Sequence, residues 1–213
     1  MPSYFLKRIF ILLSGLTLLA FGVALSIRSS LGTSPISSLP YVYSYFIPLT
    51  IGTLTIFLHI IFILLQMLIL GKDFQWIQWL QLIVGIVFGF MIDCMLWLTQ
   101  SLHAENYTFQ LLLCLAGCLL TAIGVIFQVK AKLIFLAGEG LYLAYASRFN
   151  VSYGTCKTYG DIILVTIAAI SSYIALNEIV GIREGTIISA FLIGTLVKTL
   201  IAKFNFLDFK AQL

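Results

Sequence analysis

Residues 136–145 read LAGEGLYLAY, which sets the carboxylate of Glu139 between two glycines in a stretch otherwise as apolar as a buried helix. A carboxylate there has three chemical uses: it holds a cation, it carries a proton, or it marks a polar boundary. Further along, Lys157 and Asp161 stand one helical turn apart, either as an ion pair sufficient to itself or as part of a site. His59 and Asp93 lie singly in apolar runs, and Thr33, Ser34 and Ser37 supply hydroxyls in the run SSLGTSPISS, residues 29–38. His59 also reads as a hydrogen-bonded core histidine, and Asp93 as an interfacial residue. No HExxH, GxSxG or Walker A pattern is present and there are only two histidines, so neither an enzyme, a metal centre nor a cofactor is indicated.

The elements that must position these groups are membrane helices. Hydrophobic residues make up 61% of the 213 and charged residues only 9%, with a mean hydropathy of +1.09, far outside the range of a soluble domain. Six segments, 6–27, 51–70, 77–98, 109–129, 153–176 and 185–203, are long enough to cross a bilayer core of about 30 Å. Two shorter apolar pieces, 36–49 and 133–147, contain Pro40 and Pro48 or the Gly138-Glu139-Gly140 trio. Lys7 and Arg8 before an apolar run resemble a secretory signal, but the run is too long for one and recurs later in the chain. Cys94, Cys114, Cys118 and Cys156 form no CxxC pair and read as small core hydrophobes.

Shifting the sequence by 102 residues gives a gapless match with 13 identities in the 49 positions from 13 to 61. Three of the four glycines in that window coincide, Gly15, Gly22 and Gly52 falling on Gly117, Gly124 and Gly154. The chain therefore reads as one membrane domain of two homologous halves, 1–102 and 103–213. If the short pieces do not span, each half crosses three times and the halves are inverted. Arg28 and Arg183 then lie outside, while Lys7, Arg8, Lys72, Lys130, Lys132, Arg148, Lys157, Lys203 and Lys210 lie inside with Lys198 near the inner end of the last helix. Ten to two fits the enrichment of cytoplasmic loops in lysine and arginine better than the seven to five of a parallel arrangement. Both termini are expected in the cytoplasm. The net charge of +4 follows from this orientation and is no argument for nucleic acid.

The fold expected is thus all-α: two inverted repeats of three transmembrane helices, each with one short re-entrant or broken segment. Segments 30–50 and 132–152 dip in from opposite faces, and paired breaks at matching places are the best sequence-level pointer to a transporter site. Ser34 before Pro35 makes a helix start. The shift places Glu139 on Ser37 and His59 on Asp161. At Glu139 desolvation and a helix amino terminus, with Lys130 or Lys132 as basic neighbours, act in opposite directions. The glycine-spaced faces Gly15/Gly22, Gly117/Gly124 and Gly85/Gly89 read as close helix packing.

The chain resembles the YczE/YitT-type group of small bacterial polytopic membrane proteins. The resemblance rests on Leu31-Gly32-Thr33-Ser34-Pro35, on Gly140-Leu141 after an acid, on Gly154 followed by Lys157 and Asp161, and on Val180-Gly181-Ile182-Arg183-Glu184-Gly185-Thr186 with Gly194. It implies a multi-pass protein of the bacterial cytoplasmic membrane. Members of the group often carry Trp-Asp where this chain has Ile36-Ser37, and an Arg where it has Gly138.

Two functions fit: an ion- or proton-coupled transporter or permease for a small solute, and a non-transporting membrane partner or assembly factor. The bilayer and a small solute are the expected partners, with a homodimer left open. The topology has a direct test. In a cysteine-free background, single cysteines at Lys72 and Asn150 should label from the cytoplasm and one at His103 from outside; outside labelling at position 72 would sink the inverted arrangement.

Overall fold

A computed structural model describes residues 2–207, and all regular structure in that range is helical. The helices are α1 (Pro2–Arg28), α2 (Pro35–Tyr43), α3 (Ile51–Leu70), α4 (Leu80–Leu98), α5 (Tyr107–Ala131), α6 (Ala137–Phe149), α7 (Tyr153–Leu176) and α8 (Glu184–Leu200), with short 3-10 turns before α4 and after α3 and α8. Six of them, α1, α3, α4, α5, α7 and α8, form spans long and apolar enough to cross a membrane, and they match the six segments expected from sequence. Phe10, Leu68 and Ile174, each more than 70% exposed, face outward as lipid-facing side chains do. This is a multi-pass membrane protein. Lys210 lies outside the described residues.

Within a membrane, helices gain nothing from burying leucine against leucine in place of lipid, so close association needs small residues that let backbones approach. α1 and α5 meet that need directly. A Cβ built on Gly22 would stand 2.7 Å from the carbonyl oxygen of Gly117, and one on Gly124 would stand 2.7 Å from that of Gly15. The pairs 15 with 124 and 22 with 117 make the two helices antiparallel. Arg8 fastens one end by donating from Nε to the carbonyl of Ala131 at 2.7 Å and from Nη2 to that of Lys132. α4 lies beside α1, where Arg28 donates to the carbonyl of Leu96 at 2.7 Å, and α8 lies beside α5. α3 and α4 form a tight antiparallel pair, with Gly89 against Ile56 and Gly52, and Gly85 against His59.

The short helices are the irregular part. α2 has nine residues and α6 has 13, which reach only about 13 and 20 Å, short of the core thickness. After α1 the chain turns through Ser30 (φ 57°) and Gly32 (φ 96°). It then runs along the first turns of α8. The carbonyl of Ser30 accepts from Arg183 at 3.1 Å, that of Leu31 from the N–H of Gly185 at 2.8 Å, and that of Thr33 from the hydroxyl of Ser189 at 3.5 Å. Ser34 is extended (φ −60°, ψ 151°) and Pro35 opens α2. After α5 the same conformation recurs at Leu136 (φ −61°, ψ 153°), and α6 begins at Ala137. The two starts meet: a Cβ on Gly138 would stand 3.1 Å from Cδ1 of Ile36. From there α2 packs on α7 and α6 on α3. α3 and α7 begin alike, Thr50 and Ser152 accepting from the backbone N–H of Thr53 and Thr155 at 3.1 and 3.2 Å.

The glycine crossing yields a stability prediction. Gly22→Leu should abolish most folded protein or lower its melting temperature sharply, because overpacking costs about 1–3 kcal/mol even where side chains can move and here the obstacle is backbone. Gly194→Ala, whose Cβ meets nothing within 4 Å, should melt like wild type. Equal melting of the two variants in the same lipid would refute the packing account.

Candidate functional site

The short helices, their neighbours and the inner faces of α5 and α8 enclose a cavity of about 450 Å³. Six of the eight residues expected from sequence line it: Ser34 and Ser37 from α2 and its cap, His59 from α3, Glu139 from α6, and Lys157 and Asp161 from α7. Thr121 and Gln128 of α5 and Ser189 of α8 add polar groups, and Leu19, Val23, Phe88, Phe135, Leu143 and Tyr153 supply much of the apolar wall.

The two carboxylates have different surroundings. Asp161 is 7% exposed and both of its oxygens are used: Nζ of Lys157 donates to Oδ2 at 3.0 Å and the hydroxyl of Tyr142 donates to Oδ1 at 2.9 Å. Lys157 also stands over the Tyr142 ring, 5.5 Å from its centroid. Beyond its own backbone N–H, the carboxylate of Glu139 meets no hydrogen-bond or ion-pair partner among the described residues. Lys157, one turn before Asp161 on α7, is the basic group whose charge acts on Glu139. The basic neighbour is therefore Lys157. Lys130 instead turns to Asn205, its Nζ 3.2 Å from Oδ1, and Lys132 is exposed.

Ser34 donates to Ser37 at 3.0 Å across the start of α2. His59 is 1% exposed and lies nearly parallel to Phe88, ring centroids 6.1 Å apart; its Nδ1 has no partner and faces Gly85. Thr33 is fully buried behind the cavity wall, its hydroxyl unpartnered. Asp93 lies apart from the cavity. Its Oδ2 accepts from the hydroxyl of Thr50 at 2.6 Å and its Oδ1 from the N–H of Gly52 at 2.8 Å, so it clamps the start of α3 to α4.

Sequence reading passed over several uncharged groups. Gln66 and Gln81 exchange two hydrogen bonds, 2.9 and 3.1 Å, and Gln66 also donates to the carbonyl of Ala137 at 3.1 Å, tying α3, α4 and α6 together. Gln128 is 2% exposed, lines the cavity, and its Nε2 has no partner. Amides in apolar spans carry the same kind of signal as charges, at lower strength. Tyr142 has no such signal, since its role depends on the turn that brings α6 against α7.

The profile of a family of unknown function, DUF6198, matches residues 6–202. The chain belongs to that family. No curated protein and no solved structure matches it.

Asp93 gives a prediction separable from the cavity. Asp93→Ala should destabilise the protein by about 2–3 kcal/mol, the range for losing hydrogen bonds to a charged group, read as a lowered melting temperature in nanodiscs. Asp93→Asn should recover part of that loss. A wild-type melting temperature for Asp93→Ala would rule out the clamp.

Proposed function

We propose that this protein is a transporter for a small solute, built as two inverted repeats, residues 1–102 and 103–213, and working by alternating access in a bacterial cytoplasmic membrane. The observation that carries the reading is one cavity into which both repeats send positions matched by the 102-residue shift: Ser37 with Glu139, and His59 with Asp161. The packing supports it. The crossing of α1 and α5 exchanges Gly15–Gly124 for Gly117–Gly22 under the shift, α2 on α7 exchanges for α6 on α3, and α1 on α4 for α5 on α8.

One contact lacks its counterpart, and that difference supports alternation. α3 packs tightly on α4, whereas α7 and α8 are not packed in this way and both line the cavity. Gly52 is wedged against Gly89 and Asp93, while its match Gly154 has nothing within 4 Å. α8 turns Ala190 and Gly194 toward the cavity, four residues apart as Gly85 and Gly89 are on α4, and Gly194 also has open space. By the lysine and arginine count the α7–α8 opening is cytoplasmic, so this is an inward-facing arrangement. The outward-facing one closes α7 on α8 at Gly154 and Gly194 and parts α3 from α4.

Labelling tests this without a known solute. In a cysteine-free background, Ser37→Cys should react with impermeant thiol reagents from both faces of the membrane. Adding Gly154→Leu, which leaves melting unchanged, should restrict reaction to the cytoplasmic face by blocking closure of α7 on α8. Proteoliposomes screened against pools of small solutes should accumulate at least one, and Gly154→Leu should abolish that uptake. Reaction from one face only, with no effect of Gly154→Leu and no solute accumulated, would overturn the transporter in favour of a non-transporting membrane partner.

A further inference from the structure

Two lysines and two acids line the cavity, and one of the acids is left without an ion-pair partner among the described residues. Lys157 and Asp161 neutralise each other, and Tyr142 takes the remaining oxygen of Asp161, so the carboxylate of Glu139 is left over. Lys198, at the far end of α8, is exposed at the rim and stands outside this balance. A charge in a membrane interior is expensive and is kept where a partner or a watery path serves it. Two helix starts also converge here, and helix starts favour anions. That of α6 already carries an attached anion in Glu139, and that of α2 gives up one donor to Pro35. The group the cavity lacks is a cation.

The walls say what kind. A hard inorganic cation such as Mg²⁺ or Ca²⁺ takes roughly six to eight oxygen ligands, and among the described residues no three His, Cys, Asp or Glu side chains converge. Instead the lining is mainly hydrocarbon and aromatic, with Phe88, Phe135 and Tyr153 among it, the kind of wall that takes an apolar cation. The volume of about 450 Å³ lies in the range of small-molecule sites. We propose that the cavity binds an organic monocation with an apolar body, such as an aryl-alkyl amine, its ammonium held by Glu139. This inference rests on reading the cavity as a solute site.

The test uses three probes of one shape, 4-phenylbutylamine, 4-phenylbutanol and 4-phenylbutyrate, titrated calorimetrically into the full chain in nanodiscs with empty nanodiscs subtracted. The amine should bind wild-type protein roughly tenfold or more tighter than the alcohol, with the carboxylate weakest. Glu139→Gln should erase that preference while alcohol affinity stays within about twofold and melting is unchanged; Glu139→Asp should keep part of it. Amine binding should weaken in acid, since protonation of Glu139 removes the charge. Should Glu139→Gln not fold, wild-type protein answers: the trimethylammonium analogue of the amine, which has no nucleophilic nitrogen, should protect Glu139 from carbodiimide modification, and the alcohol should not. Equal binding of amine and alcohol, a preference that survives Glu139→Gln, strongest binding of the carboxylate, or no protection would overturn the proposal. Amine binding with no transport would sink the transporter and leave this inference standing; transport without amine preference would do the reverse.

Discussion

A helix that stops partway through a bilayer leaves about four N–H groups without partners in a medium that has no water to offer. α2 and α6, too short to span, both begin inside the protein where the same shortage arises, and much of the remaining architecture answers it. Neither Ser34 nor Leu136, the residues before them, accepts with its side chain from a backbone N–H of the helix it precedes. Pro35 removes one donor, and the carboxylate of Glu139 turns to its own N–H. The rest is met by bringing both starts to one place inside the protein, Ile36 against Gly138, and leaving a polar-edged cavity there. α3 and α7, which start at the bundle ends, show the ordinary solution in Thr50 and Ser152.

Holding two broken segments in register needs a frame that does not give, and the antiparallel crossing of α1 and α5 supplies it. At Gly15, Gly22, Gly117 and Gly124 each helix lies against both the backbone and the side chains of the other, among them Phe127, Thr121, Ser26 and Leu19, with no room for a further carbon. α3 and α4 are joined to each other by polar links as well as by glycines: the Asp93 clamp at one end and the Gln66–Gln81 pair at the other. α7 and α8 lack links of that kind. The polar groups of α7 nearest the cavity are satisfied by α7 itself and by Tyr142 of α6, so separating α7 from α8 breaks none of the hydrogen bonds they make. α7 and α8 are each tied to other elements, α7 to α2 and α6 and α8 to the turn after α1. Among the described residues, however, no polar link joins the two to each other as links join α3 to α4.

The spans, the two short helices and the glycine crossing were legible in the sequence because each leaves a local mark: apolar length, a break, a spacing of seven. The Lys157–Asp161 pair was legible for the same reason, its two residues lying a turn apart on one helix. What stayed hidden depends on which faces meet. Asp93 looked like a membrane carboxylate of the same kind as Glu139, and only the approach of α4 to the start of α3 gives it two backbone and hydroxyl donors. Gly52 and Gly154 are equivalent by every local criterion, yet one is wedged and the other free, since their difference lies in the position of α8. Lys130 was near Glu139 in sequence and is turned away in space, toward Asn205.

Positions matched by the 102-residue shift meet in the cavity, but they carry unlike chemistry. Matched positions carry Ser37 on one short helix and Glu139 on the other, and His59 on one following helix and Asp161 on the other. Had both repeats kept a carboxylate and a lysine, each half would close on itself and present the cavity with no net charge. The first half instead offers a serine pair, Ser34 to Ser37, and a histidine stacked on Phe88. The second spends its lysine on the deeper of its two carboxylates. A ligand entering between them meets hydroxyls on one wall and an unshared carboxylate on the other, so its orientation is set by charge while its size is set by apolar walls. In the proposed alternating-access cycle, rocking one half against the other would carry that carboxylate along, because Glu139 rides on the short helix itself.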